Sequence, residues 1–349
     1  MTTPASPSLR LGTRRSALAT TQSQTVADAL TAATGRPVEL VEVTTLGDTS
    51  SEHLTQIGGT GVFVTALRAA LLEGSIDLAV HSLKDLPTAD EPGLVLAAVP
   101  LRADPRDALV ARDGLTLGEL PPGARIGTGS PRRAAQLLAL GLGHEPEPVR
   151  GNVDTRVALV TDGKLDAVVL ARAGLLRLGR EHEVSEVIDP LQVLPAPGQG
   201  ALGVECRSAD HQLVELLAVL EDPDTRAAVT AERALLAALE AGCTAPVGAL
   251  AEVVEGADGG LEISLRAVVA APDGSVVLRQ SLVGAADDPA DLGRRLAALL
   301  LEDGAAELVG DQATIAAPPT DSTPTTASTD STTPDAHPSA DQHLPERAS

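Results

Sequence analysis

The sequence predicts an α/β protein with two similar α/β domains around a cleft and a smaller α+β domain at the C-terminal side. Three observations carry this. Short β-branched or Leu-rich runs alternate with helical patterns, as in LVEVTT, VFVTALRAALLEG and IDLAVHS, the alternation of α/β units with parallel strands. Two stretches recur: RLGTRRSALA (from Arg10) is echoed by RIGTGSPRRAA (from Arg125), and EGSIDLAVHSLKDL (from Glu73) by DGKLDAVVLARAGL (from Asp162). From about Asp222 the alternation gives way to one long Ala/Leu helix and two or three strands.

In each copy of the first repeat a short strand ends in Gly-Thr and leads, through Ser and Arg, into a helix. Backbone N–H groups and guanidinium groups then point to one place, which suits an anion. The helix after Gly61 is expected to bury Val62, Ala66, Ala69 and Leu72, which share a face at helical spacing. The Pro/Gly-rich PAPGQG (195–200) precedes a strand-like ALGVEC that returns the chain to the first sheet, so the two domains would hinge there. Beyond it, VGALAEVVE, LEISLRAVVA and SVVLRQSLVG read as strands, and Asp288-Pro289 as the cap and first residue of a helix. The expected division is 8–100 with 200–221, then 101–199, then 222–310. The Ser/Thr/Pro-rich stretch 311–349 is expected to be disordered, because it has too few apolar residues to offset its ordering entropy.

A chain of 349 residues with 43% hydrophobic residues can supply several cores. Phe63 is its only aromatic residue, so base stacking is unavailable. The formal charge of -22 argues against nucleic-acid or anionic-membrane partners, which excess Lys and Arg would hold. The absence of a signal peptide or a long apolar run leads to the expectation of a cytoplasmic location. Cys206 and Cys243 are too few for a disulfide framework, and no spacing of His, Cys and acids makes a metal site.

Several residues stand out as candidates. Arg125, Arg132, Arg133, Arg150 and Arg156 outnumber the acids in their stretch, and Arg14, Arg15, Arg172 and Arg177 take equivalent strand-end or helix-start places. Such a set suits a ligand with several carboxylates, although Arg is also simply the usual cation here. Asp85 follows a strand end beside Lys84, where an Asp is ordinarily a turn former. The second copy has Ala173 and Gly174 at these places, so the fold itself does not require the charged pair. Cys243 falls in a loop (AGCTAP), with an idle thiol as the alternative, and Cys206 reads as a small core residue. His81 reads as a packed or hydrogen-bonded histidine. Without a GxxxxGK[ST] loop, phosphate-handling enzymes are a weaker option.

The segments VHSLKDLP, GTGSPRRAAQL, RGNVDTR, PAPGQGALGVECR and AGCTAP, in this order, resemble the porphobilinogen deaminase (hydroxymethylbilane synthase) family over about residues 8–305. The resemblance implies two lobes like those of periplasmic anion-binding proteins and a third domain. It further implies an enzyme that joins four porphobilinogen molecules head to tail on a dipyrromethane cofactor, held by a thioether at Cys243. It assigns Asp85 as the catalytic carboxylate, and Lys84, Ser130, Arg132, Arg133 and Arg156 to the cofactor. Arg14, Ser16, Arg150, Arg156 and Arg177 fall to the substrate, and Phe63 stands beside the active-site loop. No metal, nucleic acid or membrane is implied, and a monomer is expected. Thr60 stands where relatives often carry Lys, and Ala241 where they carry Gly. The competing reading from the residues alone is a non-catalytic, two-lobed intracellular anion-binding protein.

Overall fold

The computed structural model describes residues 7–43, 61–241, 245–257 and 259–310. All of these lie within one compact unit, Met1–Gln312. The first sheet is built from β1 (Leu9–Thr13), β2 (Val38–Glu42), β3 (Leu78–Ser82) and β4 (Leu94–Ala98). Helix α1 (Ala17–Thr34) connects β1 to β2, and α2 (Gly61–Glu73) precedes β3. The chain then enters a second sheet with β5 (Asp107–Ala111), β6 (Arg125–Thr128), β7 (Glu145–Pro148), β8 (Ala167–Ala171) and β9 (Glu186–Val187). Its helices are α3 (Pro131–Ala139), α4 (Val153–Thr161) and α5 (Arg172–Arg177). β10 (Leu202–Arg207) returns to the first sheet and is followed by α6 (His211–Leu217).

The two sheets share one topology, β2-β1-β3-β10-β4 and β7-β6-β8-β5-β9. In each, four of the five strands run the same way and one, β10 or β5, is antiparallel to both of its neighbours. The parallel strands expected of α/β units are present, and the one antiparallel strand in each sheet is reached by a crossing between sheets, since a strand arriving from the other lobe need not keep the direction a βαβ unit imposes.

The duplication is physical. Asp77 accepts from the backbone N of Arg10 at 2.9 Å, and Asp166 accepts from that of Arg125 at 2.8 Å. Gly12 and Gly127 occupy matching strand positions, where a Cβ would lie 2.4 Å from Ile76 and 2.6 Å from Leu165. Each β-strand can approach the residue before its neighbour only because no side chain intervenes.

The buried face of α2 differs from expectation. Val64, Leu67, Arg68, Ala70 and Leu71 are buried, whereas Ala69 and Leu72 are exposed. So many residues of this helix are apolar that more than one stripe satisfies helical spacing, and the sheet selects the stripe shifted by one to two residues.

The last layer pairs α7 (Pro223–Ala238) and α8 (Pro289–Glu302) against an antiparallel sheet of β11 (Val247–Glu255), β12 (Leu261–Ala270) and β13 (Val277–Ala285), followed by α9 (Ala305–Gly310). Asp222 and Asp288 cap α7 and α8 by accepting from Thr225 N and Asp291 N. Glu232 of α7, fully buried, accepts from Arg102 Nη1 at 2.7 Å, Gly198 N at 2.6 Å and Ala251 N at 2.8 Å. One carboxylate thus ties both crossings between the sheets to the third layer.

Candidate active site

β3 ends at Ser82 and turns through a 3₁₀ segment, Leu83–Asp85. The turn is fixed without help from Asp85. Leu83 is fully buried, Leu83 N donates to Ala201 O at 3.0 Å, and Arg233 of α7 donates to the carbonyls of Leu86 and Pro87 at 2.9 and 2.7 Å. The half-buried Asp85 carboxylate accepts no hydrogen bond and joins no ion pair among the described residues. It faces an open cleft lined also by Arg14, Gln22, Val64, His81 and Ser82.

Beside it lies a dry cluster of charge. Asp107, at the start of β5 and fully buried, accepts from Arg132 Nη2 at 2.9 Å, Arg133 Nη2 at 2.7 Å and Gln199 Nε2 at 2.7 Å. Burial alone would raise its pKa, but the two guanidinium groups and Gln199 outweigh burial and hold it well below the usual carboxylate range. Gln199 Oε1 in turn accepts from Lys84 Nζ at 3.3 Å and Arg133 Nη2 at 3.4 Å. Lys84 is half-buried as a residue, yet its ammonium points inward. Desolvation pushes its pKa down to about 8, against Asp85 and Asp107 and with the neighbouring Arg133 and Arg132.

The remaining candidates fall into two groups. Arg156 donates from Nε to Gly151 O at 2.9 Å, and desolvation with the nearby Arg133 lowers its pKa. Arg150 is exposed and has no partner among the described residues. Ser130 precedes α3 without capping it, its N–H donating to Thr128 Oγ1 at 3.2 Å. By contrast, Ser16 caps α1 by accepting from Ala19 N at 3.3 Å. Arg177 donates to Gly200 O at 2.8 Å and sits in the last turn of α5, not at a helix start. Arg172, which does start α5, is paired with Asp104 and Glu181, and Arg15 with Glu42.

Thr60 and Cys243 lie outside the described residues. Phe63 falls in the first turn of α2. Cys206 is buried in β10, and desolvation pushes its thiol up to about 11, which keeps it an inert core group.

Arg132 and Arg133 are therefore not free cations, because Asp107 already holds both. The sequence reading counted acids only within the Arg-rich stretch and missed Asp107, Gln199 and Glu232. One signal was available: an Asp opening the apolar run DALVA, where a buried charge demands partners. The cluster still fits a carboxylate-rich cofactor. Lys84, Arg132, Arg133 and Arg156 are four cations set against Asp85 and Asp107, and the buried Nε atoms of Arg132 and Arg133 have no partner. A ligand bringing two or more carboxylates would balance that surplus.

The fold and site define a class: a two-lobed α/β protein with a third domain, with one unpaired carboxylate in a cleft of the first lobe and a buried cluster of cations close by in sequence and structure. Family comparison narrows it. Residues 9–215 match the model of the porphobilinogen deaminase dipyrromethane cofactor binding domain, and residues 226–302 that of the porphobilinogen deaminase C-terminal domain. A porphobilinogen deaminase of Nocardia farcinica is 64% identical over 305 residues, covering 86% of this chain and 88% of that one. Its counterpart in Mycobacterium avium is 61% identical, covering 86% and 96%. Porphobilinogen deaminase 1 of Streptomyces coelicolor is 59% identical over 313 residues, covering 87% and 98%. Among solved structures, a periplasmic substrate-binding protein of Coxiella burnetii covers 62% of this chain and 94% of its own at a TM-score of 0.40 and 14% identity.

The chain belongs to the porphobilinogen deaminase family. Its activity is that of a hydroxymethylbilane synthase, a transferase of porphyrin synthesis that takes porphobilinogen as substrate and uses a dipyrromethane cofactor. The competing reading as a non-catalytic anion-binding protein is set aside by these matches. No helix among the described residues is long and apolar enough to cross a membrane.

Proposed function

We propose that the cleft beside β3 is where porphobilinogen is deaminated and added to the growing chain, with Asp85 as the catalytic carboxylate. The observation that carries this is the Asp85 side chain, unpaired at a strand end in a cleft that Arg14 also lines, next in sequence to Lys84 of the buried Arg cluster. When bound, the dipyrromethane supplies a ring with a free α-carbon and stays on the enzyme as primer. We assign its thioether to Cys243.

Porphobilinogen arrives with its aminomethyl group already an ammonium, so ammonia leaves without a strong acid. The positive charge that develops on the pyrrole needs a fixed anion beside the ring N–H, and the Asp85 carboxylate supplies it. Its Oδ atoms then accept the ring proton lost after the new carbon–carbon bond forms. Lys84, Ser130, Arg132, Arg133 and Arg156 would hold carboxylates of the cofactor. Asp107 and Gln199 preset the angles of Arg132, Arg133 and Lys84, so little ordering remains when a ligand arrives. Arg14, Ser16, Arg150, Arg156 and Arg177 would hold the substrate, and Phe63 would belong beside the active-site loop.

Four additions give a chain of about six rings and about twelve carboxylates, which explains so large a cation set. One Asp can serve every addition only if the chain moves past it or the lobes shift. The two crossings, 99–106 and 188–201, are where such a shift would occur. A cytoplasmic monomer without nucleic-acid or membrane partners suits the charge of -22.

Peptide mapping of the active protein tests the attachment. Two linked pyrroles on the Cys243 peptide, with Cys206 unmodified, are expected. Both thiols free in active enzyme would overturn it.

A further inference from the structure

The cleft wall contains a second ionisable group that the reaction above leaves unused. His81 on β3 lines the cleft with Asp85 and Arg14, yet its ring is almost wholly buried. On the dry side Nε2 lies 3.1 Å from Glu205 Oε2 of β10, a charge contact bent away from an ideal hydrogen bond. Glu205 is held by Arg68 of α2, with Nε at 3.1 Å and Nη2 at 2.9 Å. Desolvation would raise the Glu205 pKa, but His81 and Arg68 outweigh it and lower it, so the carboxylate remains charged. Arg68 also reaches Glu91 at 3.2 Å.

Arg68 therefore divides its charge between the buried Glu205 and the partly exposed Glu91, which leaves Glu205 with charge to share with a protonated imidazole. A carboxylate at Nε2 also fixes which ring nitrogen faces inward. That leaves Nδ1 as the second donor of the charged ring, and it has no partner among the described residues. The other groups on this wall are Gln22 and Ser82, bonded to each other at 2.9 Å, with Arg14 and Asp85 on the rim.

We propose that His81 is a substrate-positioning residue whose protonated ring, backed by Glu205 and Arg68, binds a side-chain carboxylate of the incoming pyrrole through Nδ1–H. The inference rests on the reading of this cleft as the porphobilinogen site. It gives the site a pH dependence of definite sign. Carboxylate binding favours the imidazolium, so affinity falls with rising pH, by at most about tenfold per pH unit for one proton. Lys84, with its pKa pushed down to about 8, adds a separate limb at higher pH.

The test compares cofactor-loaded wild type with His81→Gln, using porphobilinogen for KM and kcat and a non-reactive probe for binding. The probe is a pyrrole that keeps the acetate and propionate groups but carries methyl in place of aminomethyl. At pH 6.5 the variant should show KM, and the probe's Kd, raised about tenfold, the loss of one charge-assisted hydrogen bond. Its kcat should change less than about twofold. Below the Lys84 limb near pH 8, wild-type affinity should decline with rising pH while that of the variant stays flat, and both should share that limb. Glu205→Gln, which does not line the cleft, should move the wild-type decline to lower pH and serves if His81→Gln does not fold. Identical pH profiles of probe binding in wild type and variant would overturn the role of His81. A probe that fails to compete with porphobilinogen in the wild type would instead overturn the cleft reading.

Discussion

Asp107→Asn tests the charged cluster at its centre. The carboxylate is fully buried and accepts from Arg132, Arg133 and Gln199 at 2.7 to 2.9 Å. Asn keeps the shape but offers one oxygen and turns an NH₂ group toward a guanidinium, so at least one buried cation loses its counter-charge. Removing one partner of a buried pair costs about 3–5 kcal/mol, against a total stability of about 5–15 kcal/mol. The expected outcome is a loss of about 3–5 kcal/mol in urea unfolding of the cofactor-free protein at pH 7, followed by far-UV circular dichroism. Loading the cofactor should recover part of this as its carboxylates take up the freed guanidinium groups. Because the folded pKa of Asp107 lies below its unfolded value, its contribution is fully present above about pH 4 and is lost as pH falls through the folded value. The gap between wild type and variant should therefore be level from pH 5 to 8. A loss under about 1 kcal/mol, or a gap that changes within that range, would refute the reasoning.

Two further outcomes follow from the same charges. Lys84 has a folded pKa near 8 against an unfolded value of about 10.4, so the cofactor-free protein should gain stability as pH rises from 8 toward 10; pH-dependent melting should show this gain shrinking in Lys84→Met and in the loaded protein. Arg150→Leu and Arg156→Leu should stall chain elongation, whereas Arg112→Leu and Arg295→Leu, whose partners are the surface acids Asp113, Asp166 and Asp291, should change rates less than about twofold. Counting pyrroles per enzyme by intact mass during turnover separates the two groups.

The repeat carried much of the fold. RLGT with RIGT, and SIDL with KLDA, mark strands whose matching side chains make matching bonds, Arg10 with Asp77 and Arg125 with Asp166. Caps at Asp222 and Asp288 were equally readable, because capping is local chemistry. What escaped depends on contacts between distant segments. The antiparallel strands β5 and β10 come from the crossing of the chain, and the buried stripe of α2 from the sheet beneath it. Asp107 meets Arg132 and Gln199 across 25 and 92 residues, and a window along the chain cannot place them together. In the site, Asp85 and Lys84 were conspicuous because the other repeat lacks them. Asp107 was not, since an Asp before an apolar strand looks like a loop end.

The most direct test of the account is the turnover of Asp85→Asn, measured on protein first checked for its bound pyrroles. Asn is a good turn residue, and the turn is held by Leu83 and Arg233 without the Asp85 side chain. The variant should therefore fold, carry cofactor and bind porphobilinogen, yet lose turnover by about three orders of magnitude or more, because the missing charge acts mainly as positive charge develops on the pyrrole. Turnover within about tenfold of wild type would contradict the account and remove Asp85 from the chemistry.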